Sequence, residues 1–172
     1  GGEPLLRGDI VDLVRRLAGI DGIEDLALTT NGVLLVEAAS ALKEAGLTRV
    51  NISLDAAEPQ CYRRITGSDA LPQVLAGMRK ALGAGLDPVR VNCVVIREVN
   101  LSQVVALAEM SFSLPISVRF IEYCPTNAET RPIGSYVPNS EVRKIIESRL
   151  GPLSSVVPRD AGGPAVYFRA GG

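Results

Sequence analysis

Apolar residues recur along much of the chain at the spacing of one helix face. The stretch that begins at Asp9 carries them at positions i, i+3, i+4 and i+7, and Gly19 follows the last of them. This pattern predicts an amphipathic helix with Asp9 as its N-cap and a glycine at its end. The same spacing predicts four more helices, at 34–45, from 68 or 69 to about 84, at 102–112 and at 139–150.

Short apolar runs lie between these helices, at 26–29, 50–54, 89–95 and 118–121. Continuous rather than alternating runs are typical of parallel strands that are buried on both faces. Strands that alternate with helices predict right-handed βαβ units and an α/β fold, as a closed barrel or as an open doubly wound sheet. The opening Gly-Gly-Glu-Pro turn has the form of a strand-to-helix connection, so we expect the chain to begin inside such a unit.

The last part of the chain has a different composition. Residues 152–172 are rich in proline and glycine around one short apolar run at 165–169. We therefore expect two parts: a core of α/β units at 1–151, and a loop with an isolated strand at 152–172.

Composition and charge exclude several classes of protein. The chain is 47% apolar and 22% charged with a net charge of −1, and its basic residues are scattered, which disfavours binding to nucleic acid or to an anionic membrane. Its apolar runs are shorter than the roughly 18 residues of a membrane span. Since no signal peptide is evident either, we expect a cytoplasmic protein.

Cysteine and histidine usage limits the chemistry. Cys61, Cys93 and Cys124 lie about thirty residues apart, which fits neither a disulfide framework nor a close pair of metal ligands. The chain has no histidine, which excludes Ser–His and Cys–His nucleophiles and most zinc, copper and iron sites. We expect binding and positioning roles, with no catalytic residue and no metal ligand in this segment.

Polar residues follow or end the predicted strands. Ligands of parallel α/β folds bind at the carboxyl ends of the strands, so these residues are expected to share one rim. Each of them alone is typical of a turn or a cap. The groups are Gly-Gly-Glu-Pro at 1–4, Thr-Thr-Asn-Gly at 29–32, Asn-Ile-Ser-Leu-Asp at 51–55, Arg-Val-Asn at 90–92 and Glu-Tyr-Cys-Pro at 122–125.

Several ordered motifs carry a family resemblance. The stretches GGEPLLR, GIEDLALTTNG, AGLTRVNISLDA, RRITG, PVRVNCVV and VRFIEYCP resemble the radical S-adenosylmethionine (SAM) superfamily, and most closely its GTP 3′,8-cyclase (molybdenum cofactor biosynthesis protein A) family. The resemblance implies an incomplete TIM-like (β/α) barrel. It also implies that the N-terminal cluster unit and the C-terminal cluster domain of that family fall outside this chain.

The resemblance implies roles for five residues. Gly2 would offer its backbone to the amino group of SAM, and Ser53 would hydrogen-bond the same cofactor. Cys124 stands where the family commonly has a methionine against the SAM adenine. Thr29 would contact GTP, and Arg90 would do so at a position where the family usually has lysine.

The activity that the resemblance implies belongs to a longer protein. A SAM-dependent radical GTP 3′,8-cyclase converts GTP to 3′,8-cyclo-7,8-dihydro-GTP in molybdenum cofactor biosynthesis, using SAM and two 4Fe-4S clusters. Neither the CxxxCxxC loop of the first cluster nor the three cysteines of the second is present here, so we expect the 172-residue chain alone to be inactive.

Two alternative functions stay open. One is another radical SAM maturase, acting on a peptide or a tetrapyrrole, because the Gly-Gly-Glu-Pro and Thr-Asn-Gly turns are shared widely. The other is a non-catalytic, nucleotide-binding remnant. In any of these cases an open barrel edge would favour association, for example into a homodimer.

Overall fold

Four parallel strands form the centre of the structure, a computed structural model that describes residues 2–124, 133–157 and 164–171. Each strand pairs with the next one along the chain, in the order β1-β2-β3-β4, so the predicted succession of βαβ units is confirmed. The observed ends differ from the predicted ones by at most two residues. The strands are β1 (Ala27–Thr30), β2 (Arg49–Ser53), β3 (Val89–Val95) and β4 (Ile116–Glu122).

Helices connect the strands. The five predicted helices are confirmed, and the one at Asn139–Leu150 has the predicted bounds. Asp9 precedes the first helix, but its side chain makes no capping hydrogen bond and pairs instead with Arg7. The helices of the described residues are α1 (Ile10–Ala18), α2 (Leu35–Glu44), α3 (Pro59–Thr66), α4 (Leu71–Gly83), α5 (Arg97–Asn100), α6 (Val104–Ser113) and α7 (Asn139–Leu150).

The pattern of apolar residues did not predict α3 and α5. Helix α3 buries only Cys61 and Tyr62, so it has too few apolar positions to show a helical period. Its sequence signals are instead a proline in the first turn and Gly67, which ends the helix with a φ of 71°. Helix α5 has four residues, and one turn is too short for any period to appear.

One face of the sheet is covered by helices and forms the core. Val50 and Ile52 of β2 and Val91 of β3 are fully buried against it. The helices contribute large apolar side chains to the same cluster, including Leu35, Leu42, Val74, Met78 and Leu107. Burial of this apolar surface is the main stabilising contribution to the fold.

The other side of β2 is polar and less buried, which corrects the expectation that this strand is buried on both faces. Along β2, Val50 and Ile52 are buried, whereas Arg49 and Asn51 are half-buried and Ser53 is exposed. This is the alternation of a strand with one covered face. The run is only five residues long, so the alternation is easily missed in the sequence.

Helix α4 packs directly on the turn that follows β1. A Cβ atom at Gly77 would lie 2.6 Å from the carbonyl oxygen of Gly32 and 2.9 Å from Cβ of Leu35. Gly32 itself has a φ of 81°, a conformation that favours glycine. The close approach of α4 fixes this turn at the carboxyl end of β1.

The last part of the chain contains a hairpin. Strand β5 (Leu153–Val156) pairs antiparallel with β6 (Tyr167–Ala170), so the expectation of an isolated strand is wrong. Two central serines make β5 look like loop in the sequence. The proposed division at 151/152 stays a prediction. None of the described helices is both long enough and apolar enough to cross a bilayer.

Candidate functional site

The register of the sheet places the two predicted GTP contacts in one row. Thr29 of β1 pairs with Asn51 of β2, and Asn51 pairs with Arg90 of β3. Side chains of register partners point to the same side of a parallel sheet. The Asn51 Nδ2 atom donates to Thr29 Oγ1 over 3.3 Å. Thr29 and Arg90 are therefore separated by a single strand on one face.

A second row lies two residues further along the strands. Ser53, the predicted SAM contact, pairs with Asn92, and Asn92 pairs with Arg119 of β4. Since residues i and i+2 of a strand share a face, both rows lie on the side opposite the helices. We call this set the polar face; it consists of Thr29, Asn51, Ser53, Arg90, Asn92 and Arg119.

Arg90 does not lie at the carboxyl end of its strand, where the polar groups are expected. It is the second residue of β3, not a residue at its end, and it is buried with 4% exposure. Strand β3 continues to Val95 because it pairs with β4 along its whole length. The expectation that every polar group ends a strand is thus wrong for Arg90, although its row is the expected one.

Glu3 joins the turn that carries Gly2 to the turn after β1. Its Oε1 atom accepts from Thr30 Oγ1 at 2.5 Å and from the Leu5 amide at 3.1 Å, and its Oε2 atom accepts from the Asn31 amide at 2.7 Å. Gly2 therefore lies beside the carboxyl end of β1. A Cβ atom added at Gly2 would have no neighbouring atom within 4 Å, so the backbone there is open to a ligand.

The sequence interpretation treated Glu3 only as part of a turn. The signal that could have identified it is a carboxylate in one turn and a Thr-Asn pair of donors in the next, since buried donors and acceptors are normally paired. Gly1 and Pro125, which belong to the predicted motifs, lie outside the described residues. Cys124 is exposed, two residues beyond β4.

Three buried side-chain atoms of the described residues have no hydrogen-bond partner, and all three belong to the polar face. They are Asn51 Oδ1, Asn92 Oδ1 and Arg119 Nε. An unpaired buried polar atom costs roughly 1–3 kcal/mol, which a ligand with matching groups would remove. Two acceptors and one donor on one face fit a cofactor with hydroxyl, amino and carboxylate groups, as SAM has.

Charges around the polar face favour an anion. Three neighbouring strands each contribute one arginine to this side of the sheet: Arg49 of β2, Arg90 of β3 and Arg119 of β4. The pKa of Asp25 is lowered, mainly by its hydrogen bond from Arg49 and also by Thr48, with a smaller effect of the charge on Arg90. These arginines place positive charge on this side of the sheet, which suits a phosphate group.

Asp55 lies two residues beyond Ser53 and is partly withdrawn from solvent. Burial raises the pKa of its carboxyl group, against the opposing effect of a hydrogen bond from the Val94 amide to Asp55 Oδ1 at 2.9 Å. Asp55 thus ties the end of β2 to the end of β3 and acts as a structural link there.

The cysteines do not fit an iron–sulfur cluster. Cys61 and Cys93 are buried in the core with 6% and 0% exposure, whereas Cys124 is exposed. Burial raises the pKa of the Cys93 thiol, which disfavours the thiolate that binds metals. Within the described ranges, no group of three or more potential ligands is placed to hold a metal ion.

A cavity of about 580 Å³ lies between β4, α7 and the β5–β6 hairpin. Its lining includes Arg119 and Tyr167, whose ring lies 5.3 Å from the Arg119 guanidinium carbon. The lining includes none of the predicted contacts to SAM or GTP. Of those contacts, Thr29, Ser53 and Arg90 belong to the polar face.

Comparison with known proteins finds relatives among the GTP 3′,8-cyclases. GTP 3′,8-cyclases from Pelotomaculum thermopropionicum and Moorella thermoacetica are 48% and 44% identical over 98% of this chain and 52% of their own length. The GTP 3′,8-cyclase of Thermodesulfovibrio yellowstonii is 40% identical over all of this chain and 53% of its own length. The chain spans about half the length of these curated relatives.

A solved structure and a family model agree with this result. The structure of TYW1 with a lysine-pyruvate adduct bound has a TM-score of 0.65 and 17% identity, covering 91% of this chain and 50% of that chain, which shows a shared fold. The sequence model of the Radical SAM superfamily matches residues 1–111. This match includes both rows of the polar face as far as β3, and it shows that the chain belongs to the radical SAM superfamily.

Proposed function

We propose that this chain is the central part of a SAM-dependent radical GTP 3′,8-cyclase, which converts GTP to 3′,8-cyclo-7,8-dihydro-GTP in molybdenum cofactor biosynthesis. The observation that carries the proposal is the polar face, because its two rows hold Thr29, Ser53 and Arg90 on one side of the sheet. The similarity to GTP 3′,8-cyclases along the whole chain supports it.

SAM binds at the carboxyl ends of β1 and β2 in this proposal. The open backbone at Gly2 accepts close approach of the methionine amino group, and the exposed Ser53 hydroxyl hydrogen-bonds the same ligand. Cys124, beyond the end of β4, contacts the adenine. When bound, SAM supplies the radical chemistry for which the superfamily is named.

GTP binds along the first row. The Thr29 hydroxyl contacts the nucleotide, and Arg90 binds the triphosphate, for which a guanidinium offers two parallel donors. The other arginines of this face add positive charge. Holding both ligands in line beside each other is the contribution of this segment to the reaction.

We further propose that the four strands belong to a TIM-like (β/α) barrel. A polar face opposite the helices supports this arrangement, since it becomes the interior when strands pair with the outer edges of β1 and β4. Association through such an edge into a homodimer, and a location in the cytoplasm, stay predictions.

A chimaera tests the proposed function. In the Pelotomaculum thermopropionicum enzyme, this chain replaces the matching segment, and conversion of GTP to the cyclic product is measured anaerobically with SAM and reductant. We expect product from the chimaera, and a strong loss with Ser53→Ala. Ser154→Ala, on an exposed position of β5, is the control and should leave the activity unchanged.

Other outcomes would contradict the proposal in distinct ways. A folded chimaera that cleaves SAM but forms no cyclic GTP product would favour another radical SAM maturase. A chimaera that binds nucleotide but neither cleaves SAM nor forms product would favour a non-catalytic remnant.

A further inference from the structure

Two buried amide side chains, Asn100 and Gln103, contact the segment that follows Ser53. Their exposures are 1% and 3%. They are the last residue of α5 and the residue just before α6, beyond the carboxyl end of β3. An amide buried without partners costs roughly 1–3 kcal/mol, so the partners of these two side chains define their role.

Asn100 joins the chain after β2 to the chain after β3. Its Nδ2 atom donates to the carbonyl oxygens of Asp55 at 3.0 Å and Val94 at 2.9 Å, and its Oδ1 atom accepts from the Ile96 amide at 2.8 Å. The side chain thus bonds to the backbone of both segments.

Gln103 holds the same segment three residues further on. Its Oε1 atom accepts from the amides of Ala57 at 3.2 Å and Glu58 at 3.1 Å, and its Nε2 atom donates to Glu58 Oε2 at 2.9 Å. These amides precede α3, whose N-cap residue Glu58 makes no capping hydrogen bond with its side chain. Gln103 therefore fixes the start of α3 from outside that helix.

The residues between Ser53 and these contacts are themselves held by hydrogen bonds. The Leu54 amide donates to the Asn92 carbonyl at 3.0 Å, and Asp55 Oδ1 accepts from the Val94 amide at 2.9 Å. Displacement of the segment at 54–58 would therefore shift Ser53 relative to Asn92. Ser53 and Asn92 belong to the second row, where SAM binds under the proposed function.

We propose that Asn100 and Gln103 are positioning residues for SAM, which act by holding the segment at 54–58 and with it the hydroxyl of Ser53. The inference rests on the proposed function. Neither side chain contacts the ligand. The first row, with Thr29 and Arg90, lies within the paired part of the strands and includes the hydrogen bond from Asn51 to Thr29, so we expect it not to depend on these two amides.

The test uses the whole 172-residue chain, labelled with ¹⁵N and titrated with SAM and, separately, with GTP. In Asn100→Leu and Gln103→Met we expect SAM affinity, followed at the Ser53 amide, to fall about tenfold. GTP affinity, followed at the Thr29 amide, should change less than about twofold. A general loss of structure would weaken both ligands together.

Thr48→Val is the matched control. Thr48 Oγ1 bonds with Asp25 and Leu26 at the opposite end of the sheet, so its loss destabilises the fold without reaching Ser53. SAM affinity should stay unchanged in this variant. Unchanged SAM affinity in both amide variants would overturn the inference alone, whereas no SAM-induced shift in the wild-type chain would overturn the proposed function with it.

Gln103→Glu is a milder variant, for use if Asn100→Leu and Gln103→Met prevent folding. It retains the acceptor for Ala57 and Glu58 but places a second carboxylate beside Glu58. We expect SAM affinity about threefold weaker near pH 7, because two like charges side by side repel each other and displace the segment. A SAM affinity that matches wild type would contradict the positioning role.

Discussion

Glu3 Oε2 lies 2.7 Å from the amide nitrogen of Asn31, 28 residues further along the chain. The same carboxylate accepts from Thr30 Oγ1, so one side chain holds two turns of the candidate site together. Loss of a hydrogen-bonded carboxylate of this kind costs roughly 1–3 kcal/mol.

We expect Glu3→Ala to lower the free energy of unfolding by roughly 1–3 kcal/mol. Glu3→Gln should lower it less, because an oxygen acceptor is kept. Guanidinium denaturation measures the loss, and hydrogen exchange at the Asn31 amide locates it. Equal exchange rates at Asn31 in wild type and Glu3→Ala would contradict this role.

Gly77→Ala should displace the turn after β1. The added Cβ would lie 2.6 Å from the Gly32 carbonyl oxygen, and overpacking of this kind costs roughly 1–3 kcal/mol. The matched control is Gly83→Ala in the same helix, where no atom lies within 4 Å and the higher helix propensity of alanine should stabilise slightly. Thermal unfolding compares the two variants. If both were stabilised, the close packing of α4 on the turn would be disproved.

Asp55→Asn should change how stability depends on pH. Burial raises the folded-state pKa of Asp55 above its usual value of 3.8, so the protonated form favours the folded state. Its contribution is full below pH 3.8 and is lost as the pH rises through the folded pKa. The variant should therefore gain stability over wild type near neutral pH and match it in acid. Denaturant unfolding at about pH 3 and pH 7 measures this; a gain of equal size at both would be inconsistent with the raised pKa.

Arg90→Ala should lower GTP affinity, because the triphosphate loses a charged partner with two donors. We expect at least a tenfold loss for alanine and a smaller one for Arg90→Lys, which keeps the charge. Calorimetric titration measures both. Arg143→Ala is the control, since Arg143 belongs to α7 and its guanidinium carbon lies 4.5 Å from the ring centre of Phe168. Unchanged GTP affinity in Arg90→Ala would show that the residue has another role.

Anaerobic treatment of the 172-residue chain with iron and sulfide should give no brown colour and no electron paramagnetic signal of a cluster. Cys61 and Cys93 are buried in the core, so they cannot meet the exposed Cys124 around one cluster without unfolding. A stoichiometric 4Fe-4S signal from the folded chain would refute this expectation.

The pattern of apolar residues was sufficient to predict the four parallel strands, the five longer helices and their order. Apolar residues at helical spacing differ clearly from short continuous apolar runs. The pattern was insufficient for α3, whose helical face buries only two residues, and for β5, whose pairing depends on β6 more than ten residues later. Both elements are fixed by tertiary contacts that a local pattern does not contain.

The candidate site was predictable only in part. The motifs identified Thr29, Ser53 and Arg90, and parallel pairing places them on one face as expected. The contacts of Glu3, Asn100 and Gln103 were not predicted, because a side chain that bonds to distant backbone leaves no periodic signal. The pairing of Arg90 with Asn51 depends on register, which the sequence alone does not give.

The alternation along β2 also limits how this protein can change over evolution. Val50 and Ile52 face the core while Asn51 and Ser53 face the opposite side, so inserting or deleting one residue in this strand would exchange the two sets. A single such event would place amide and hydroxyl groups in the hydrophobic interior and valine and isoleucine on the opposite side of the strand. Descendants of this chain should therefore accumulate length changes in the exposed connections and almost none within β2.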